Sequence, residues 1–261
     1  MSRPLITIIT VCYNASSTIE QTILSVLNQT YSNIEYIIID GNSTDGTVDT
    51  IKKYENKITH WISEPDKGIY DAMNKGIKSA SGEWINFMNS GDTFYSNTIL
   101  NDIFHNSFIP FDVIYGNTNY VYSYGNIIRK AGNVTSNNYM PFTHQSSFVK
   151  TSLLKSLGFD YQYKICADRD FFHKIFLDKK KFKNINLTIS NYEAEEGISS
   201  INANMLLYEI GKIENKTSKI SWRIYYCLRS IYNRISLIAR NILPISVVYK
   251  IRTIKSNLNI L

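Results

Sequence analysis

Within the first ninety residues, apolar runs alternate with stretches of helical spacing, and this alternation leaves the chain few architectures. Leu5–Val11 (LITIITV) is a continuous, largely β-branched run of the kind found in a strand covered on both faces. Ile34–Ile39 and Glu83–Met88 repeat the pattern, and Ile58–Ile62 is a shorter candidate. Between them, Ile19, Ile23, Val26 and Leu27 form one helical stripe, and Val48, Ile51 and Tyr54 form another. Ile69, Ala72, Met73, Gly76 and Ile77 form a third. Strand and helix in strict alternation predict a parallel sheet with right-handed crossovers. The strands end in small polar residues, at Tyr13-Asn14, at Asp40–Gly46 (DGNSTDG) and at Asn89-Ser90-Gly91-Asp92. Those ends should share the sheet edge at which open α/β sheets bind ligands, with Asp92 exposed there. Ser17 and Glu20 have capping-box spacing, and Asp45 suits a cap for the helix after it.

Length and composition exclude several classes. A chain of 261 residues fits one large domain, or a domain with an appendage, with ample length for a core. Cys12, Cys166 and Cys227 are scattered and odd in number, so neither a disulfide framework nor a zinc site is expected, which favours a reducing cytoplasm. A strand beginning by Leu5 leaves no room for a signal peptide, and no apolar run reaches the length of a bilayer span. There is neither a P-loop nor a G-x-G-x-x-G after the first strand. A nucleotide bound at this edge would therefore be held by carboxylates and carbonyls. Carboxylates beside a diphosphate require a divalent cation between them, and oxygen ligands suit Mg²⁺ or Mn²⁺.

From Phe111 the texture changes. DVIYGNTNYVYSYGNIIRKAG reads as short antiparallel strands with turns at Gly116-Asn117 and Gly125-Asn126, and Asn133–Pro141 as a polar, lid-like loop. His144 leads towards a helix over Ser152–Leu157, and Cys166-Ala167-Asp168-Arg169-Asp170 opens another. Phe182–Tyr192 is a further strand, followed by a loop whose Glu195 and Glu196 read as solvated.

Four motifs in order, VCYN, IIIDGNSTDGT, EPDKGIYDAMNKGI and GEWINFMNSGD, resemble the family 2 inverting glycosyltransferases over about residues 4 to 180. The resemblance implies a glycosyltransferase-A fold, an α/β architecture with a Rossmann-like, mostly parallel sheet and flanking helices. It implies a nucleotide-sugar half at 1–110 and an acceptor half at 111–200, with C-terminal helices at 201–261. Asp40 matches the Asp that binds the donor nucleobase, with Thr10, Tyr13 and Asn14 opening onto that pocket. Asn74 and the nearby Lys67 and Lys75 match the lining of the donor site. Asn89-Ser90-Gly91-Asp92 occupies the place of the D-x-D signature, so Ser90 and Gly91 fall in the donor site and Asp92 matches the metal ligand. Asn89 and Gly91 replace the other two carboxylates, which thins the support for metal. Asp168 matches the catalytic base at a helix start where Ala167 replaces the usual Glu, and Asp170 is the runner-up. His144 is a candidate for the diphosphate or the acceptor, or a structural histidine. Asp40 and Asp168 also have plain alternatives as helix caps, and the lysines as surface charges.

The C-terminal segment is basic. Of 28 Lys and Arg residues nine follow Glu214 with no acidic residue among them, leaving 19 basic against 22 acidic residues up to and including Glu214. Ile220, Ile224, Leu228, Ile231, Ile235, Ile238 and Ile242 share a stripe, with arginines elsewhere and Trp222, Tyr225, Tyr226 and Tyr232 as interfacial aromatics. Residues 217–256 thus suit an anionic membrane surface, the alternative being a helix docked on the catalytic domain. No nucleic-acid motif accompanies the charge, so no nucleic-acid partner is expected.

Together these readings imply transfer of a hexose or N-acetylhexosamine from a UDP-sugar, with Mn²⁺ or Mg²⁺, to a saccharide acceptor linked to a polyprenyl diphosphate. The setting would be the inner face of the cytoplasmic membrane, in O-antigen or capsule synthesis. The rivals are a nucleotidyltransferase, which lacks its expected phosphate loop here, and a non-catalytic sugar- or lipid-binding homologue, which the thinned D-x-D motif keeps in play.

Overall fold

The apolar runs become the strands of one mixed sheet. The structure is a computed structural model that describes residues 3–105, 110–195, 202–242 and 247. In chain order the first elements are β1 (Ile6–Cys12), α1 (Ile19–Leu27), β2 (Ile34–Asp40), α2 (Thr47–Lys53), β3 (His60–Ser63), α3 (Ile69–Ser79) and β4 (Trp84–Phe87). β5 (Thr93–Phe94), α4 (Ile99–Phe104), β6 (Val113–Tyr122), β7 (Gly125–Arg129), β8 (Ser147–Lys150), α5 (Thr151–Leu157), α6 (Ala167–Leu177) and β9 (Phe182–Glu193) follow. Two helices end the series, α7 (Ala203–Ile213) and α8 (Ile220–Ile242).

The sheet order is β3-β2-β1-β4-β8-β6-β9-β5, with β7 on β6. β3, β2, β1 and β4 are parallel, as the strand-helix alternation predicts, and β8 turns the direction by pairing antiparallel with both β4 and β6. Every residue of β1 is buried, which explains its unbroken apolar sequence. Cys12 lies across from Asp40, and Asp40 from Ser63, so the strand ends do share one edge. The turn after β4 continues the ladder onto β1, with Met88 N–H on the Ile9 carbonyl at 3.0 Å and Ser90 N–H on Val11 at 3.2 Å.

The chain forms two compact units. The first comprises residues 1–119 and 130–192, and the second 120–129 and 193–261. In the second, Ser123 donates to Glu195, and α7 and α8 pack through Tyr208, Trp222 and Tyr226. Gly211 leaves room on α7 for the Trp222 indole, and Asn233 Nδ2 donates to Asn204 Oδ1 at 2.9 Å. Glu196, residues 243–246 and residues 248–261, which hold the last basic segment, lie outside the described residues.

Several local expectations change. Ser17 and Glu20 form no capping box, because the N-cap is Thr18 without a side-chain bond and Tyr54 Oη donates to Glu20 at 2.8 Å. Gly116-Asn117 is not a turn but part of β6, and Gly116 is there because a side chain would collide with the Leu187 carbonyl. The Asn133–Pro141 loop is pinned by Tyr139, which is buried against Arg169 and His173.

The turn that launches β4 is packed against β1. Glu35 accepts from Ser81 N–H at 2.7 Å and from Thr7 Oγ at 2.5 Å, and Thr7 Oγ accepts from Gly82 N–H at 3.0 Å. Burial would raise the Glu35 carboxyl, but the Ser81, Thr7 and Gly82 donors hold it below its ordinary value. A β-carbon on Gly82 would lie 2.8 Å from both the Leu5 carbonyl and the Thr7 nitrogen. These obstacles are backbone, so Gly82→Ala is expected to cost about 3 kcal/mol. Urea unfolding would show a lower midpoint at unchanged slope, and an unchanged midpoint would contradict the packing.

Candidate active site

The sheet edge brings together four of the expected residues, of which Thr10, Asn14 and Asp40 are bonded within the protein. Asp40 is fully buried. Its oxygens accept from Ser43 N–H at 2.9 Å, Ser43 Oγ at 2.5 Å and Ser63 Oγ at 2.6 Å, with the Cys12 thiol at 3.5 Å. Burial, then the Asp40 charge, push the Cys12 thiol far up, so it stays protonated beside that carboxylate. Asp40 therefore shapes the Gly41–Ser43 turn in this conformation. Thr10 does not open onto a pocket, because its hydroxyl is buried and donates to the Met88 carbonyl at 2.7 Å beside Tyr36 Oη. Asn14 takes a positive φ of 45° and stitches the loops together, its side-chain carbonyl accepting from Thr44 N–H at 3.0 Å. Asp45 caps from outside α2, and bonds from Thr47 and then Ser16 hold its carboxyl far below the ordinary range. Tyr13 remains 66% exposed at this edge, beside Gly41.

Asn74 is also engaged. Its amide grips both backbone groups of Phe159 at 2.8 Å, so it fixes the approach to α6. Lys67 is exposed, and Lys75 is tied to Glu64 and the Pro65 carbonyl at 2.8 Å.

Asp92 differs most from the sequence expectation, being only 4% exposed. Gly91 adopts a φ of 97°, and the chain folds straight back so that Thr93 pairs with Asn191. The turn is closed by Asp92 N–H on the Asn89 carbonyl at 3.0 Å, and Gln145 Nε2 donates to Asp92 Oδ2 at 2.8 Å. Thr22 braces the same turn through the Gly91 N–H and the Asp92 carbonyl, and Ser90 meets Thr18 at 3.0 Å.

The second carboxylate stands at the start of α6. Asp168 Oδ1 accepts from Arg169 N–H at 2.8 Å and lies 3.0 Å from Tyr70 Oη, which shares its one proton between this oxygen and the Ile165 carbonyl at 2.6 Å, and Oδ2 lies 3.0 Å from His144 Nδ1. The far nitrogen of His144 lies 3.1 Å from Asn89 Nδ2. A continuous chain of bonds thus joins the turn bearing Asp92 to the helix bearing Asp168. Burial alone would raise the Asp168 carboxyl, but His144, the Arg169 N–H and Tyr70 hold it below the ordinary carboxylate value. Burial, then the Asp168 charge, raise the Tyr70 phenol well above its usual value, so it remains a neutral donor. Asp170 points elsewhere and pairs with Lys174 at 2.7 Å.

Tyr70 and Gln145 are the participants that sequence reasoning passed over. Tyr70 lies in a helix whose apolar stripe hides a polar tip, and Gln145 had no signal beyond adjacency to His144.

Among the described residues no group of three or more His, Cys, Asp or Glu side chains could hold a metal. The Asn89–Asp92 turn nevertheless offers hard oxygens. It carries the Asp92 carboxylate and Asn89 Oδ1, which is buried with no hydrogen-bond partner among the described residues. This set suits a divalent cation that completes its coordination with substrate oxygens, not one enclosed by protein alone.

Comparison with known proteins accounts for this architecture. An uncharacterized glycosyltransferase of Mycobacterium tuberculosis is 31% identical over 186 residues, spanning 65% of this chain and 68% of its own. A PGL/p-HBAD biosynthesis glycosyltransferase of Mycobacterium bovis is 27% identical over 212 residues, spanning 77% and 81%. The fold is shared with Staphylococcus aureus TarS in complex with UDP-GlcNAc, at a TM-score of 0.63 and 20% identity over 80% of this chain and 66% of that one. It is shared equally with a mannosyltransferase of Pyrobaculum calidifontis in complex with GDP-Man and Mn²⁺, at a TM-score of 0.65 and 17% identity over 82% and 65%. The family model for glycosyl transferase family 2 matches residues 7–176, from β1 to the end of the helix that carries Asp168. With that match over most of its length, the chain belongs to glycosyl transferase family 2 and is a glycosyltransferase.

Proposed function

We propose that the enzyme transfers a hexose or N-acetylhexosamine from a UDP-sugar to a saccharide hydroxyl with inversion, forming a β-linkage from an α-linked donor. The observation that carries this reading is Asp168, half-buried, held below the ordinary carboxylate pKa and tied through His144 to the turn that bears Asp92. In-line displacement needs one carboxylate to take the acceptor proton and stabilisation of the leaving diphosphate on the opposite side. Asp168 accepts the hydroxyl proton as the new bond to the anomeric carbon forms and the bond to the diphosphate oxygen breaks. Asp92 and Asn89 Oδ1 would hold Mn²⁺ or Mg²⁺, whose charge would offset that building on the diphosphate. The exposed Tyr13 ring is a stacking surface for the nucleobase over the turn that Asp40 shapes, and Lys67 is a candidate for the diphosphate. The UDP-GlcNAc complex of TarS and the GDP-Man and Mn²⁺ complex of the archaeal neighbour support a nucleotide-sugar donor and a cation.

The C-terminal helix extends the reading to a membrane surface. Ile220, Ile224, Leu228, Ile231 and Ile235 are 55–76% exposed along α8, among the cations Lys219, Arg223, Arg229 and Arg234. Among the described residues no helix is long and apolar enough to cross a membrane. An exposed apolar stripe beside basic residues suits attachment to anionic lipid, and hence a polyprenyl-diphosphate-linked acceptor at the inner face of the cytoplasmic membrane. Cell-surface polysaccharide synthesis is the process such an acceptor serves. Vesicles containing phosphatidylglycerol should sediment the protein, and Leu228→Asp should weaken that binding about tenfold. Equal binding to neutral vesicles by the variant and the wild type would remove the membrane from the proposal.

Nucleoside-diphosphate release from a panel of UDP- and GDP-sugars, with Mn²⁺ or with EDTA, tests the activity. Turnover of one UDP-sugar, lost with EDTA, is the expected result. Donor binding without turnover in the presence of lipid-linked saccharides would instead describe a binding protein.

A further inference from the structure

We propose that His144 is a positioning residue for Asp168, bridging it to the Asn89–Asp92 turn so that the base and that turn move as one unit. The proposal deepens the reading of Asp168 as the base and rests on it. Both ring nitrogens are engaged. Nε2 lies 3.1 Å from the Asn89 side-chain amide. Nδ1 lies 3.0 Å from Asp168 Oδ2 and donates to that carboxylate, which can only accept.

The surroundings hold this arrangement in place. Tyr70 and Arg169 N–H fill Asp168 Oδ1, while His144 fixes Oδ2. The next residue, Gln145, holds Asp92 Oδ2 at 2.8 Å. Asn86 Nδ2, on β4, pins the Gln145 and Ser147 carbonyls at 2.9 Å each, so the turn that carries His144 and Gln145 is anchored from the sheet. One anchored turn therefore sends adjacent side chains to two carboxylates, one on the donor side and one on the base. The spacing between them is fixed by bonds, and misplacing a catalytic group by about 1 Å costs on the order of a hundredfold in rate.

Two near-isosteric variants separate the halves of the bridge. Asparagine can keep a donor near the position of Nδ1, whereas glutamine extends its amide towards Nε2 and loses the bond to Asp168. His144→Gln is expected to lower kcat about thirtyfold while the donor KM and UDP affinity stay within about twofold, and His144→Asn should recover kcat to within about fivefold of wild type. Long-range ¹H–¹⁵N correlations on the histidine rings give a readout that needs no donor, and with four histidines in the chain His144 is assigned by its variants. Nδ1 should carry a proton in the wild type, where it faces the Asp168 carboxylate, and Asp168→Asn should perturb that signal. Wild-type kcat in His144→Gln, alongside an inactive Asp168→Asn, would overturn the role of His144 and leave the base in place. An active Asp168→Asn would overturn the base assignment itself. Equal losses in both His144 variants with lowered unfolding midpoints would mean a purely structural histidine. A wild-type ring with no proton on Nδ1 would likewise overturn the proposal.

Discussion

Asp168→Asn is expected to lower kcat for glycosyl transfer about a thousandfold, the scale of a general base lost from its site. Nucleotide affinity should hold within about threefold, because the residue meets the acceptor and not the donor. Asparagine keeps the volume, and its carbonyl can still accept from Tyr70 and Arg169 N–H. Asp170→Asn should cost less than about threefold, since that carboxylate is bound to Lys174 instead. Loss in Asp170→Asn with retention in Asp168→Asn would exchange the two assignments. A pH dependence follows from the same contacts. The folded state holds the Asp168 carboxyl below its ordinary value, so this group contributes stability that is fully present above the unfolded pKa of about 3.9. That contribution disappears as pH falls through the lower folded pKa. Wild type should therefore lose stability on acidification below about pH 4 more steeply than Asp168→Asn, as read by urea midpoints across that range.

Asp92→Asn is expected to remove the response to Mn²⁺. UDP should bind the wild type about a hundredfold more tightly with Mn²⁺ than with EDTA, about 2.7 kcal/mol, and the variant equally in both. Transfer should fall by a similar or larger factor. The asparagine can still accept from Gln145, so the turn should persist and the unfolding midpoint should change little. Calorimetric titration of UDP decides the matter. A wild type indifferent to Mn²⁺ would sink the cation assignment whatever the variant does.

The comparison of sequence and structure is most instructive at the carboxylates. Asp40, Asp92 and Asp168 could be picked out from strand ends and from motif resemblance. Their exposure could not be picked out. Asp92 follows a strand and so reads as a solvent-facing end, but Gly91 reverses the chain and β9 covers it. Asp40 reads as an open acceptor, but Ser43 and Ser63 close over it, one three residues and the other 23 residues away. Asn74 and Thr10 were legible as polar residues near the edge, yet their partners, Phe159 and Met88, come from segments 85 and 78 residues away.

By itself, the sequence determined the alternation of strands and helices, the shared edge of the parallel strands and the amphipathic character of the last helix. These depend on the spacing of apolar residues within one element, and that spacing is written locally. Tertiary structure alone decided that His144 joins Asn89 to Asp168, that Tyr70 reaches Asp168 and that Gln145 restrains Asp92. Each of those bonds spans between 24 and 98 residues of chain. A hydrogen bond forms between atoms about 3 Å apart, and no periodicity in a sequence encodes that proximity.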